Sequence, residues 1–540
     1  MPSENTKKSR SRDRRPKPWS RNSPDGPWDY IVVGSGMGGM TAAAILAKLG
    51  RRVLVLEQHY VPGGFTHTFP RKGYVWDVGV HAVGEVTRHS MPGRLLHRLT
   101  DGRLRWDTLG SVYEEFHFPD GFRIDFPDSP QQFRANLLEA FPDEQEAIDT
   151  YLDLVRDVAG TMRGYYLARA LPRPLVPTVQ WLLARKARRF LETPAQEVLD
   201  GLTDNPRLKT VLAAQWGYYG ASPSRASFAA QALVTRHFQW GGYYPVGGSG
   251  EIAYGLLETV AGAGGWTRIL ADVEEITVER GRVTGVRLAD GETLKARRVV
   301  SAVGVLATVR RLLGEPYRSQ PWAQETDSMV PGPAHVCLYL GFKGDITRAG
   351  ASGANKWFCS TWDTDHETWA IDGPDPLPKA PILYCSFPSL KDTAHDPGPE
   401  IKHTGEVVTF VPWELFEPYR KAPWKKRGPE YEALKQRLQD SLLKQYFEHM
   451  GELEPMLDYV ELSTPVSTDT FVRPVAGSIY GLEPTPQRFR NPWLKPNSPI
   501  KGLYFAGSEV SMVGVIGAMM GGVLAAAAAE PLKALPFLRT

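Results

Sequence analysis

The residues best placed to do chemistry are three glycines and an acid. Gly34, Gly36 and Gly39 form G-x-G-x-x-G directly after the apolar run Tyr30–Val33, and Met40–Leu49 continues as a helix former that Gly50 stops. A second apolar run, Val53–Leu56, ends in Glu57. Strand, glycine turn, helix, strand and terminal acid within one βαβ unit form a dinucleotide cradle. Gly34 makes the turn, Gly36 lets backbone approach a pyrophosphate, and Gly39 lets helix pack on sheet. Ser35 and Gly38 complete the loop, the helix N-terminus offers free N–H groups to phosphate, and Glu57 accepts from a ribose.

Gly63 and Gly64 follow closely in EQHYVPGGFTHTF and bring backbone toward the middle of a longer cofactor, which favours FAD over NAD. Residues 269–302 read as strand, hairpin and strand, with turns at Arg280-Gly281 and Asp290-Gly291. Gly502–Gly507 returns as a third piece of the same unit. Gly248–Ala253 also fits GxGxxA, but no apolar strand precedes it, so no second nucleotide-binding fold and no dedicated NAD(P)H domain is expected. Electrons then come from an external reductant or a transiently bound NAD(P)H.

The rest of the chain bounds the alternatives. Its 540 residues predict two or three domains, and 42% hydrophobic with 23% charged residues is a globular composition. Net charge is +3, but Met1–Trp28 alone carries +5, which leaves the body slightly acidic and argues against nucleic acid as a partner. That basic segment reads as a disordered tail. Cys337, Cys359 and Cys385 stand in no metal or disulfide pattern, so no metal site is expected and a reducing, cytoplasmic setting is the simplest reading. Val510–Ala529 is uncharged and long enough to span a bilayer, yet its Gly/Ala composition and unbelted flanks predict a buried helix. No hydrolase elbow, HExxH motif, P-loop or paired-carboxylate pattern is readable.

The combination DYIVVGSGMGG, EQHYVPGG, the strand pair containing Val273, and LYFAGSEV before a Gly/Ala helix resembles the FAD-dependent phytoene-desaturase-like superfamily. GGFTHTF, WDVGVHAVGE and PVSTDTFVRPVAGSIYGLEPTPQRF resemble its retinol saturase type, beside the carotenoid isomerases. The resemblance implies an α/β fold: a Rossmann-like FAD-binding domain (29–110, 240–305 and 495–540) with an inserted mixed α+β substrate domain (111–239 and 306–494). It also implies that Gly34, Ser35, Gly36, Gly38 and Gly39 hold the pyrophosphate, Glu57 the ribose, Gly63 and Gly64 the flavin side, and Val273 the adenine. Gly507 and Glu509 would face the ribityl and pyrophosphate region, with Glu509 standing where relatives usually carry Asp.

The implied reaction is saturation of one C=C of a lipophilic polyene, a retinoid or carotenoid, by hydride from flavin N5. His67, His81 and Glu85 are candidate proton donors or polarisers, because they follow the Gly63-Gly64 loop and can titrate. Either histidine also suits a structural bond to a backbone carbonyl. Redox-neutral cis-trans isomerisation, desaturation, or non-catalytic prenyl-lipid binding share these motifs. Aromatics at Trp216–Tyr219 and Phe238–Tyr244 suit an apolar tunnel or an ordinary core. Residues 165–190 interleave Tyr, Trp and Leu with Arg and Lys, a pattern for peripheral contact with a membrane's cytoplasmic face or for a solvated surface helix. The oligomeric state is not legible.

Overall fold

The computed structural model describes residues 15–170 and 176–538. Tyr30–Val33, buried on both faces, lies inside a six-stranded sheet that brings distant segments side by side. In order the strands are Trp19–Ser20, Trp266–Ile269, Val53–Glu57, Tyr30–Val33, Val299–Ser301 and Leu503–Phe505, all parallel. Helices Met37–Lys48, Gly250–Gly262 and Gly514–Ala529 pack together in a shared core with alternate sheet side chains. The Gly/Ala composition of 514–529 has its reason here. A Cβ on Gly522 would lie 2.3 Å from the Gly38 oxygen, and one on Gly521 2.0 Å from the Gly507 oxygen, so only a helix without side chains there can lie so close. Among the described residues no helix is long and apolar enough to cross a membrane.

The opposite side carries an antiparallel sheet, Val273–Glu279, Arg282–Leu288 and Thr293–Lys295, whose first turn places Arg280 and Gly281 at φ 48° and 73°, the left-handed pair a two-residue hairpin requires. Three sequence boundaries need correction. Residues 15–28 are not a free tail: Trp19–Ser20 pairs with Thr267–Arg268, Arg15 bonds Glu251 at 2.6 Å, and the Tyr254 hydroxyl donates to the Pro16 oxygen. Residues 1–14 lie outside the described part. Leu306, Val309, Leu312, Trp322 and Met329 share one core with Val283, Val299 and Leu503, as do Leu482 and Leu494. The stretches flanking 305 and 494 therefore pack as cofactor-domain wall, because the apolar face of the antiparallel sheet needs covering.

A second, seven-stranded sheet runs in the order Leu457–Ser463, Ala334–Lys343, Lys402–Val411, Ile382–Ser386, Asn355–Cys359, Val112–His117 and Arg123–Pro127. All pairs are antiparallel except the last two segments but one, 355–359 with 112–117. Period-2 alternation and this register place Glu114, Asn355, Trp357, Tyr384, Ser386, Glu406 and Val408 on one face. Helices Gln145–Ala170, Val176–Leu191 and Phe228–Phe238 complete this unit. The apolar face read at 165–190 is corrected in part. Tyr165 is buried and Tyr166 turns inward rather than toward a membrane, while the side chains of Trp181, Leu182 and Leu183 lie outside those described.

Candidate active site

Two large cavities meet between the sheets. The first, of about 510 Å³, is lined by Gly34, Ser35, Gly36, Gly38, Glu57, Gly63, Gly64, Val273, Gly507 and Glu509. Gly39 stays out of it, since its Cβ would lie 2.1 Å from the Gly34 oxygen, so its role is helix-to-turn packing. Gly36 is the reverse case. A Cβ there meets no atom within 4 Å and would project into open cavity at the uncapped end of helix 37–48. That cradle of backbone N–H groups fits the pyrophosphate of FAD.

Ser35 ties the cradle together. It donates to Glu57 Oε2 from N at 3.0 Å and from Oγ at 2.5 Å, while its Oγ accepts from Gly63 N at 3.0 Å. Glu57 also accepts from His59 N at 2.8 Å, so the turn, the acid and the glycine pair are held as one piece. Gly63 sits at φ 125°, which a side chain would strain. Glu509 lines the cavity but commits Oε2 to Val305 N and Leu306 N, at 2.6 and 3.1 Å, capping a helix start. Two cations line the same space. Arg473 is paired with Asp272 at 2.8 Å, whereas buried Nε and Nη1 of Arg311 have no partner, a residue the sequence reading passed over. An unpaired buried guanidinium suits an anionic cofactor.

The second cavity, of about 590 Å³, is mostly apolar, with Met162, Leu233, Phe238, Trp357, Ile382, Phe410 and Met512 among its walls. Of the aromatic clusters read in the sequence, Gly217, Tyr218 and Phe238 line it, while Trp216 and Tyr219 pack into the core. Gly79, Ile479, Tyr480, Gly514 and Val515 belong to both cavities.

His67, His81 and Glu85 do not form one group. His67 lies on the cofactor cavity, with Nδ1 2.6 Å from the Gly64 oxygen, and burial pushes its pKa down to about 4. A neutral ring bound to that carbonyl braces the glycine pair. His81 and Glu85 line the apolar cavity. Glu85, at φ 51°, lies 3.5 Å from His237. His81 Nδ1 sits 2.8 Å from Glu406 Oε2, and its edge meets Tyr384 at a centroid distance of 5.1 Å.

Behind His81 lies a buried polar cluster absent from the sequence reading. Lys391 Nζ donates to the His81 oxygen at 2.8 Å, to Ser386 Oγ at 2.7 Å and to Asn355 Oδ1. Glu114 accepts from Tyr218, Trp357 and Asn355, and Asp77 from Tyr244 and Ser249 N. Burial pushes Asp77 up to about 6 and Glu114 up to about 7, and lowers Lys391 to about 8. Asp77, Glu114 and Glu406 share one lysine in a desolvated space, which moves their titration up toward neutral pH and couples it. A lone Glu in the strand KHTGEVVTFV was the available signal for Glu406.

Comparison with known proteins agrees with this architecture. Residues 37–529 match the flavin containing amine oxidoreductases. An all-trans-retinol 13,14-reductase of Rattus norvegicus is 31% identical over 520 residues, covering 93% of this chain and 85% of that one. A chloroplastic prolycopene isomerase of Arabidopsis thaliana is 25% identical over 524 residues, covering 94% and 83%. The structure of cyclohexylamine oxidase from Brevibacterium oxydans superposes with a TM-score of 0.58 at 17% identity, over 95% of this chain and 99% of the other, a likeness of fold. The helix that starts within Gly248–Ala253 packs on helix 37–48 as part of that one fold. The chain belongs to the flavin containing amine oxidoreductase family, with the all-trans-retinol 13,14-reductases among its relatives, and is an FAD-dependent oxidoreductase.

Proposed function

We propose that this protein saturates one C=C bond of a lipophilic polyene, a retinoid or carotenoid. The observation that carries the reading is the shared wall. An apolar chamber of about 590 Å³ shares Gly79, Tyr480 and Gly514 with the cofactor cavity, so a polyene reaches the reacting edge without crossing water. The names of the relatives, a retinol 13,14-reductase and a prolycopene isomerase, point to the same substrate class.

Gly34, Gly36, Gly38, Gly63, Gly64, Glu57, Val273, Gly507 and Glu509 would hold FAD, with Ser35 bracing the cradle and Arg311 neutralising phosphate. When bound, FAD supplies the hydride through N5 of its reduced ring. His81, on the chamber wall, holds the proton that the second carbon receives, and Tyr218 and Tyr384 orient the chain beside it. Glu85 with His237 closes the chamber on another side, and His67 positions the glycine pair. A nicotinamide dinucleotide or another diffusible reductant recharges the cofactor. Peripheral membrane contact would let such a substrate enter from lipid.

The test is anaerobic incubation of the yellow holoenzyme with dithionite and a panel of retinoids and carotenoids, with products read by mass. A gain of two hydrogens with reoxidised flavin supports saturation. Unchanged mass with altered retention replaces the reading by isomerisation, loss of two hydrogens by desaturation, and protein without flavin overturns it.

A further inference from the structure

His81 Nδ1 and Glu406 Oε2 lie 2.8 Å apart and neither buried atom has a hydrogen-bond partner elsewhere, so with the imidazole neutral one proton serves the pair, carried either by Nδ1 against a carboxylate or by Oε2 against a bare Nδ1. Placed on Glu406 Oε2, that proton satisfies both atoms without leaving a charge on an acid that is 1% exposed. The other carboxyl oxygen, Oε1, already accepts from Asp77 N at 3.0 Å, which fixes the acid's orientation and aims Oε2 at the ring. Glu406 itself is buried at 1% exposure and does not line the chamber, whereas His81 does. The acid can therefore act on a substrate only through the imidazole.

We propose that Glu406 is a proton-storing positioning residue for His81: its carboxylic acid donates to Nδ1, fixes the Nε2–H tautomer, and resupplies the proton that His81 delivers into the apolar chamber. The proposal rests on the saturation reading above. In the balanced step a hydride from the reduced cofactor forms the C–H bond at one carbon, using the π electron pair. The Nε2 proton of His81 goes to the other carbon. The Glu406 proton moves to Nδ1, leaving a carboxylate near the Lys391 ammonium. A proton from water at Nε2 then returns the Nδ1 proton to Glu406. Each turnover consumes one hydride and one proton, and the imidazole never carries a charge.

The surroundings favour the neutral pair over a carboxylate and imidazolium. Burial pushes His81 down to about 3, with Lys391 adding to the effect, and pushes Glu406 up to about 8. The groups that face the acid are Asp77 from the hairpin 74–77, Lys391 after the strand 382–386, Tyr384 on that strand, Cys337 and Tyr339 on 334–343, and Tyr244. His335, itself held neutral by burial at about 4, faces His81. Only Lys391 among them favours the Glu406 carboxylate, and it is shared with Asp77 and Glu114.

The experiment uses full-length, FAD-loaded protein labelled with 15N-histidine, the His81 signals being identified by their loss in His81→Gln. From pH 6 to 8 the wild type should show Nε2 protonated and Nδ1 as an acceptor. Glu406→Gln can still donate an amide N–H to Nδ1, so the tautomer should persist, while the single-turnover rate of flavin reoxidation by polyene falls roughly 100-fold and loses its alkaline limb, with flavin content and substrate binding unchanged. An imidazolium or an Nδ1–H tautomer in the wild type overturns the proposal. So does a Glu406→Gln variant with the wild-type rate and pH profile. A wild type that reduces no polyene defeats the saturation reading instead, and the 15N signature still decides whether the proton is shared.

Discussion

Gly36 separates the demands of folding from those of cofactor binding, and Gly36→Ala should show the separation. Its φ of −66° and ψ of 171° are open to any residue, and a Cβ there meets nothing within 4 Å. In the cofactor-free protein the substitution should be neutral or stabilising by about 0.4–1 kcal/mol, since alanine reduces the freedom of the unfolded chain. The same methyl occupies the space where phosphate must approach backbone. Forcing away one charge-assisted N–H···O bond, about 1.5–3 kcal/mol, weakens FAD by roughly 10- to 150-fold. Flavin-fluorescence quenching on titration of apoprotein measures the second effect and urea unfolding of apoprotein the first. Gly39→Ala is the contrast: its Cβ would stand 2.1 Å from the Gly34 oxygen and 2.9 Å from the Ala302 Cβ, so it should fail to yield folded protein. Full flavin affinity in Gly36→Ala, or a loss of more than 1 kcal/mol from its apoprotein, would refute the assignment of that space to the pyrophosphate.

Ser35→Ala removes the hydroxyl shared by Glu57 and Gly63 N and should lower stability by about 1–3 kcal/mol, read as an earlier urea midpoint. Arg311→Met should move two quantities in opposite directions: apoprotein stability rises as an unpaired buried guanidinium is removed, and flavin affinity falls, both measured by the same titrations. Val234→Trp fills the apolar chamber and should raise KM for long polyenes at least about tenfold, as 1.4 kcal/mol of lost contact implies, with flavin content unchanged. Folded Glu406 keeps a proton up to about pH 8 that the unfolded chain releases near pH 4.5, so the native state loses relative stability as pH rises through that window. Against Glu406→Gln, which has no such proton, the wild type should therefore fall behind between pH 5 and 8 in urea midpoints.

The cofactor half was legible because its chemistry is local. Turn, helix and acid at 34–57 lie within one supersecondary unit, and glycine spacing reports steric demands that only neighbours impose. The polar cluster behind His81 was not, because Asp77, Glu114, Lys391 and Glu406 come from four separate segments that meet only through sheet register and the hydrogen bonds of the folded chain. Asp77 and Glu406 are each the one acid of their strand, Glu114 stands beside Glu115, and Lys391 ends the short helix Pro388–Lys391, with nothing to tell a buried charge from an edge residue. The basic N-terminal stretch misled for the opposite reason. Trp19–Ser20 is too short to read as a strand and is fixed by Thr267–Arg268, whose exposed edge offers it bonds.

The strand 299–301 is completed on one side by 30–33 and on the other by 503–505, and Gly38 lies against Gly507 so closely that a Cβ on the first would stand 2.5 Å from the second. The cradle's far wall is thus synthesised long after its first strand and glycine turn. During synthesis the βαβ unit waits with an open sheet edge while most of the apolar chamber's wall is made without it. Yellow colour in a cell extract therefore reports chains that extend past Gly507: a product cut short before it can carry every glycine of the motif and still hold no flavin.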